Sequence, residues 1–333
     1  MTRFTCLLLF IIGAVSIGWG AEQTVEFQQG QDSVAVSIGG KAFTTYYFGA
    51  DSPKPYLHPL RTAQGTVITR GYPMRKDIPG ESHDHPHHRG LFFAHGNINA
   101  VDFWGEEPPT KAAQTANGVY YPTSGDLPTG KTKFRKLDLV KSLGRRGTLK
   151  AEFDLTGPDG KALASETQEY TFSGDEATRV IDCAFTLTAD KGVPVKIGDT
   201  KEGTFAIRLG PGLSKPNVKM VNSEGAVGED QIWGKRANWV DYSAAVDGEP
   251  LGIAIFDNPG NLKHPTYWHA RDYGLFAVNP FGEHDFYHDP HRDGSVTIAA
   301  GQSLALRYRV VIHHGDPTAA KITEAYNRYA AGK

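Results

Sequence analysis

Apolar residues recur at every second position in three separate stretches, and this periodicity constrains the fold more than any other feature of the chain. The sets are Leu149, Ala151, Phe153 and Leu155; Ile181, Cys183, Phe185 and Leu187; and Leu304, Leu306, Tyr308, Val310 and Ile312. Residues two apart on an extended chain project to the same face. Lys150, Glu152, Arg307 and Arg309 hold the opposite parity, so each stretch predicts an antiparallel strand with one buried and one solvated face. Cys183 shares the buried parity, which makes it a core residue rather than a nucleophile. The 38 glycines and 20 prolines supply turns for many strands and for some long loops. The segment 106–133, rich in Pro, Thr, Gly and Ala, reads as a long surface loop able to cover a site. Only 317–331 carries helix signals, with an Asp316-Pro317 start and apolar Ala320, Ile322 and Tyr326. No repeat of roughly 20 to 50 residues is present, against a propeller or solenoid. The expected fold class is all-β, a large antiparallel β-sandwich with long loops and a short C-terminal helix.

The first twenty residues stand apart from that fold. Arg3 supplies a positive start, Leu7 to Val15 an apolar run, and Gly18 and Gly20 small residues for a cleavage site. The run is shorter than the roughly 20 residues of a spanning helix, and no later segment is longer. An export signal at 1–20 and a single domain at 21–333 are therefore expected, with the protein periplasmic or extracellular and not inserted in a membrane. Beyond the signal Cys183 is the only cysteine, which leaves no pair for an internal disulfide. A formal charge of −2 with mixed signs along the chain argues against nucleic-acid binding. The expected partner is a carbohydrate or other small molecule. Nothing in the sequence indicates an oligomeric state.

Ten of the thirteen histidines fall into two windows. His83, His85, His87, His88 and His95 form the first; His264, His269, His284, His288 and His291 form the second. Histidine transfers protons near neutrality and is the commonest transition-metal ligand, so either chemistry explains the clustering. Pro86 makes His83–His88 a loop, whereas Leu91–His95 reads as a buried strand with His95 at its end. Two or three of these histidines, not all five, are expected to enter the site. Around the first window lie Arg89, Asn97, Asp102 and Trp104, and around the second Trp268, Arg271, Asn279 and His288. Aromatic faces beside hydroxyl-binding polar groups suit a sugar, so these eight are the expected substrate-binding residues. The expected catalytic set is His85, His87, His88, His95, His269, Asp272 and Glu283. A divalent metal on His85, His87 and His95 is the alternative use of the first cluster; no Cys-rich zinc pattern and no His-Glu-x-x-His motif accompanies it. The chain also lacks the Gly-x-Ser-x-Gly elbow of a nucleophilic triad.

The string Asp84-His-Pro-His-His-Arg-Gly-Leu-Phe-Phe-Ala-His-Gly-Asn-Ile-Asn-Ala-Val-Asp-Phe-Trp104 resembles an exported bacterial family of unknown function often labelled "methane oxygenase PmoA". The likeness extends to Tyr47-Phe-Gly-Ala-Asp-Ser-Pro-Lys-Pro-Tyr56, Gly71-Tyr-Pro-Met74, Tyr267-Trp-His-Ala-Arg-Asp-Tyr-Gly274 and Asn279-Pro-Phe-Gly282. An integral methane monooxygenase subunit needs several membrane spans, which this sequence lacks after its signal. The resemblance implies a fold similar to the galactose-mutarotase supersandwich, whose members include epimerases, lyases and glycoside hydrolases. Fold alone does not fix the reaction. Mutarotase-like enzymes pair a histidine with a carboxylate across the sugar. By that likeness His88 or His95 is the acid, His269 orients or protonates substrate, and Glu283 or Asp272 is the base, while Arg89 and Arg271 bind a carboxylate or oxyanion. The expected function is an exported carbohydrate-active hydrolase, lyase or epimerase. A non-catalytic glycan-binding protein and a metal-dependent oxygenase are the alternatives.

Overall fold

The computed structural model describes residues 23–106 and 127–332. The expected export signal and most of the expected 106–133 loop lie outside the described residues. The far end of that loop, Lys131–Lys133, is already strand.

Two large antiparallel sheets face each other. The first runs in the order β1 (Val25–Gln29), β2 (Ser33–Ile38), β3 (Lys41–Tyr47), β4 (Tyr56–Leu57), β5 (Leu91–His95), β11 (Gly203–Arg208), β17 (Leu275–Val278), β16 (Thr266–Ala270) and β13 (Arg236–Ala237). The second runs β12 (Lys219–Asn222), β14 (Trp239–Val246), β15 (Glu249–Asp257), β19 (Ser303–His314), β9 (Arg179–Thr188), β8 (Ala162–Gly174), β7 (Arg146–Thr156) and β6 (Lys131–Leu143). A small ladder joins β10 (Val195–Ile197) to β18 (Val296–Ile298). The three alternating stretches are β7, β9 and β19, with the expected residues buried. Cys183 is among them, buried and free of any disulfide.

The main core fills the space between the sheets. Phe93 of β5 stacks on Phe185 of β9 at 4.1 Å, and Phe205 of β11 stacks on Tyr308 of β19 at 5.1 Å. Each such ring contributes about 1.5–3 kcal/mol through burial. One polar network crosses this apolar layer. Gln168 Oε1 accepts hydrogen bonds from Tyr46 and Tyr170 at 2.9 and 2.8 Å, and Gln168 Nε2 donates to Glu166 at 2.6 Å. Glu166 is fully enclosed, and burial pushes its carboxyl up to about 8.

Strands β5, β11 and β17 do not alternate in burial, because both of their faces are covered. Leu91, Phe93, Phe205, Ile207, Phe276 and Val278 join the inter-sheet core. Phe92, Ala94, Ala206, Leu275 and Ala277 form a second cluster on the other face with Tyr56 and Trp104.

The C-terminal helix is shorter than its signal. Lys321 takes a left-handed conformation and separates the turn after Asp316 from the helix Ile322–Ala330. Ile322 and Tyr326 pack on Trp239, Ala254, Phe256 and Val311, covering the outer face of the second sheet. Two single-turn helices, Glu229–Ile232 and Glu283–Tyr287, carry no periodic signal because each is about one turn long. No helix among the described residues is long and apolar enough to cross a membrane.

Candidate active site

The outer face of the first sheet gathers the polar groups. Thr204, Ala206 and Arg208 share one parity of β11, and Ala206 pairs with Phe92 on one side and Ala277 on the other. His269 of β16 pairs with Ala277 and so faces the same way. Against this face folds the loop between β4 and β5, which carries Arg70 and the His83–His88 part of the first histidine window. The loop is pressed onto β4: Gly90 sits at φ +53°, and a Cβ there would lie 2.2 Å from the Leu57 carbonyl oxygen.

Two arginines form the base of the site, and both are almost completely buried, Arg70 at 2% exposed and Arg208 at 1%. They converge on one oxygen, Asp84 Oδ1, at 2.6 and 2.9 Å. Arg70 also donates to the Ser82, Asp84 and His85 carbonyl oxygens, which fixes the turn that carries Asp84. The other Asp84 oxygen, Oδ2, lies 2.9 Å from His85 Nδ1. Burial opposes the Asp84 charge, but the His85 hydrogen bond and the Arg208 and Arg70 guanidinium groups outweigh it, holding the carboxyl well below the usual range. An ionised carboxylate only accepts, so Asp84 favours a proton on the His85 Nδ1 beside it. His85 itself has φ +42°, a left-handed conformation that a non-glycine residue adopts at a cost of about 1–3 kcal/mol.

An aromatic column stacks on this dyad. His85 lies parallel to His88 at 4.9 Å and to Tyr273 at 5.7 Å. Tyr273 also receives the Arg208 guanidinium over its ring at 4.6 Å and that of Arg271 at 5.6 Å. Beneath the column His87 meets His88 edge-on at 4.3 Å, and His88 meets Trp104 at 5.6 Å. Burial first, then neighbouring cationic and imidazole groups, push His87 and His88 well below the ordinary histidine value, so both are neutral at pH 7. His87 Nε2, both His88 ring nitrogens and Trp104 Nε1 are buried without hydrogen-bond partners.

The remaining expected residues divide clearly. His269 donates from Nδ1 to the Lys201 carbonyl oxygen at 2.7 Å, and burial lowers it to about 3, leaving a neutral ring with its lone pair on Nε2. His95 has the core parity of β5: one ring nitrogen lies 2.7 Å from the Gly198 carbonyl oxygen and the other 3.3 Å from the Thr204 hydroxyl. With both nitrogens engaged there, His85, His87 and His95 are not a ligand set, and no group of three or more His, Cys, Asp or Glu among the described residues could hold a metal ion. His95→Gln is expected to cost about 1–3 kcal/mol in urea unfolding while leaving the pH profile of any turnover unchanged. A moved profile would place His95 in the chemistry.

Arg89 is chelated by Glu106 at 2.6 and 2.8 Å, and Lys54 lies 3.5 Å from the same carboxylate while donating to the Trp104 carbonyl oxygen. Arg271 pairs with Glu229 at 2.8 Å, and Asp272 with Lys215 at 3.2 Å. Asp102 caps the backbone of Trp104 and Gly105, Asn97 that of Ala100, and Asn279 that of Phe281. Trp268 lies in the inter-sheet core and donates to the Ala237 carbonyl oxygen. Glu283 is held by Lys263, and His288 stacks on Trp233. The structure thus brings His85, His87, His88, Trp104, His269 and Arg271 to one face. Arg70, Arg208, Asp84 and Tyr273 were missing from the expected set. Arg208 carried one signal, a lone charge between the apolar Phe205–Ile207 and Leu209.

A family model described as a family of unknown function, DUF6807, matches residues 33–327. The chain belongs to that family. No curated protein matches this DUF6807 member. Among solved structures, a galactose mutarotase-like protein from Clostridium acetobutylicum is similar over 88% of this chain and 99% of its own, at 10% identity and a TM-score of 0.42. One from Lactobacillus casei is similar over 87% and 100%, at 10% identity and 0.37. A GH36 alpha-galactosidase from Geobacillus stearothermophilus is similar over 87% of this chain but 41% of its own, at 10% identity and 0.39. Likeness at that level transfers no reaction to a DUF6807 chain, whose chemistry rests on its own residues.

Proposed function

We propose that this protein is an exported carbohydrate-active enzyme, a hydrolase, lyase or epimerase, in which His85 moves the proton. The observation that carries the reading is the chain Arg70 and Arg208 to Asp84 to His85. Asp84 lies 2.9 Å from Nδ1 and steadies the ring, and His85 Nε2 takes a proton from substrate and returns it from the same atom. His269, neutral and locked by Lys201, acts differently: it accepts a hydrogen bond and orients a hydroxyl. Export rests on Arg3 and the apolar Leu7–Val15 run.

The test is a screen of the purified protein against glycans and keto-sugars, followed by His85→Ala on whichever substrate turns over. The expected loss in kcat is about 10²–10⁴-fold with the fold intact by circular dichroism. Near-full turnover in a folded His85→Ala protein removes the assignment. Binding of glycans by the wild-type protein without any turnover replaces it with a binding role.

A further inference from the structure

We infer that the site takes an anionic ligand, a polyhydroxy carboxylate of the sugar-acid class, whose carboxylate is held by Arg208 and Arg70. The inference deepens the carbohydrate reading above and rests on it for the sugar portion only.

The hydrogen-bond inventory of the two guanidinium groups is incomplete. Each carries five N–H donors. Arg208 gives Nη2 to Ser82 Oγ and Asp84 Oδ1, while its Nε and Nη1 are buried with no acceptor. Arg70 uses Nη1 and Nη2 on the Ser82–His85 turn, and its Nε is likewise buried with no acceptor. Unmet donors on a charged buried group are costly, and here they lie on neighbouring side chains.

The charge inventory is incomplete too. Two buried cations share one hydrogen-bonded carboxylate, Asp84. The nearby acids are committed elsewhere: Glu81 accepts from the Gly71 and Tyr72 N–H groups, Glu229 pairs with Arg271, Glu202 with Lys201, and Glu106 with Arg89. Tyr273, His87 and His88 add no negative charge. A second carboxylate would supply both the acceptors and the charge, one oxygen accepting from an unmet Arg208 donor and the other from Arg70 Nε. The adjoining His87, His88 and Trp104 nitrogens also lack partners, and each neutral imidazole offers one donor and one acceptor, which suits hydroxyl groups rather than a bare anion such as chloride. The Tyr273 ring lies over the Arg208 guanidinium at 4.6 Å, and the Asp84 and His85 side chains beside it are partly exposed, which gives a ligand its side of approach.

The test is calorimetric titration of the purified protein with D-glucuronate, D-galacturonate and D-gluconate against D-glucose and D-galactose at low and high salt. The acids are expected to bind at least about tenfold more tightly than the neutral sugars, with the preference shrinking in salt. Arg208→Lys, which keeps the charge but loses the Nε and Nη1 donors, is expected to weaken the acids by about tenfold or more and to leave neutral sugars unchanged. Arg135→Gln, on β6 of the second sheet beside Glu152 and Asp154, is expected to leave the preference intact. Equal binding of acids and neutral sugars, no binding of any acid at millimolar concentration, or an unaltered acid affinity in folded Arg208→Lys overturns the inference. Turnover of a neutral sugar that the acids do not inhibit overturns it while sparing the enzymatic reading. Tight acid binding without turnover does the reverse.

Discussion

Asp84→Asn is expected to lower the unfolding free energy by about 3–5 kcal/mol, the usual cost of breaking a buried ion pair from one side. The amide keeps the shape of the carboxylate and removes its charge, which leaves Arg70 and Arg208 facing each other with no hydrogen-bonded anion between them. Urea unfolding measures the loss, and Asp77→Asn provides the control. Asp77 pairs with Arg75 on the exposed surface, where water screens the charges and the substitution is expected to change little. A pH series sharpens the expectation. The Asp84 carboxyl is depressed in the folded state, so its contribution is present above the unfolded value, about 3.9, and is lost as pH falls toward the folded one. Wild-type protein therefore loses stability below about pH 4, and the variant loses correspondingly less. A variant within about 0.5 kcal/mol of wild type would show that the two cations are solvated after all.

Glu166→Gln is expected to move stability the other way. Its carboxyl rises from 4.5 to about 8 in the folded protein because it is enclosed between the sheets. The sign follows from linkage: the folded state holds the proton more tightly, so the full contribution is present below pH 4.5 and declines as pH rises toward about 8. Each pH unit in that window costs roughly 1.4 kcal/mol, giving a burden of about 3–5 kcal/mol at pH 8. Glutamine keeps the volume and the acceptor for Gln168 Nε2 and cannot ionise. The variant is expected to match wild type near pH 4.5 and to exceed it by that amount at pH 8 in thermal or urea unfolding. A parallel pH dependence in both proteins would mean that the folded carboxyl ionises without penalty.

Strands with one wet face were legible in the sequence, since Leu149–Leu155, Ile181–Leu187 and Leu304–Ile312 encode their own orientation. Strands β11 and β17 were not, because burial on both faces erases the alternation and leaves short apolar runs that fit a helix equally well. The histidine window marked the place of the site but not its machinery. Residue type gives chemistry without partners: Arg89 and Arg271 look available in sequence, and only folding brings Glu106 and Glu229 against them. The converse holds for Arg70 and Arg208, which stand far from each other in the chain and meet on Asp84. His95 illustrates parity at its most exacting, since one position decides whether a ring faces the core or the outer cluster.

The division of β5, β11 and β17 into a core parity and an outer parity separates two kinds of evolutionary freedom. Substitutions at Phe93, Phe205 and Phe276 are answerable to the packing between the sheets. Those at Ala94, Ala206 and Ala277 are answerable to whatever lies against the opposite side. A mutational library confined to the second set can retune ligand preference while the scaffold stays constant, and one confined to the first can raise heat tolerance without touching recognition. The same three ribbons thus carry two independently adjustable instruction sets, interleaved one residue at a time.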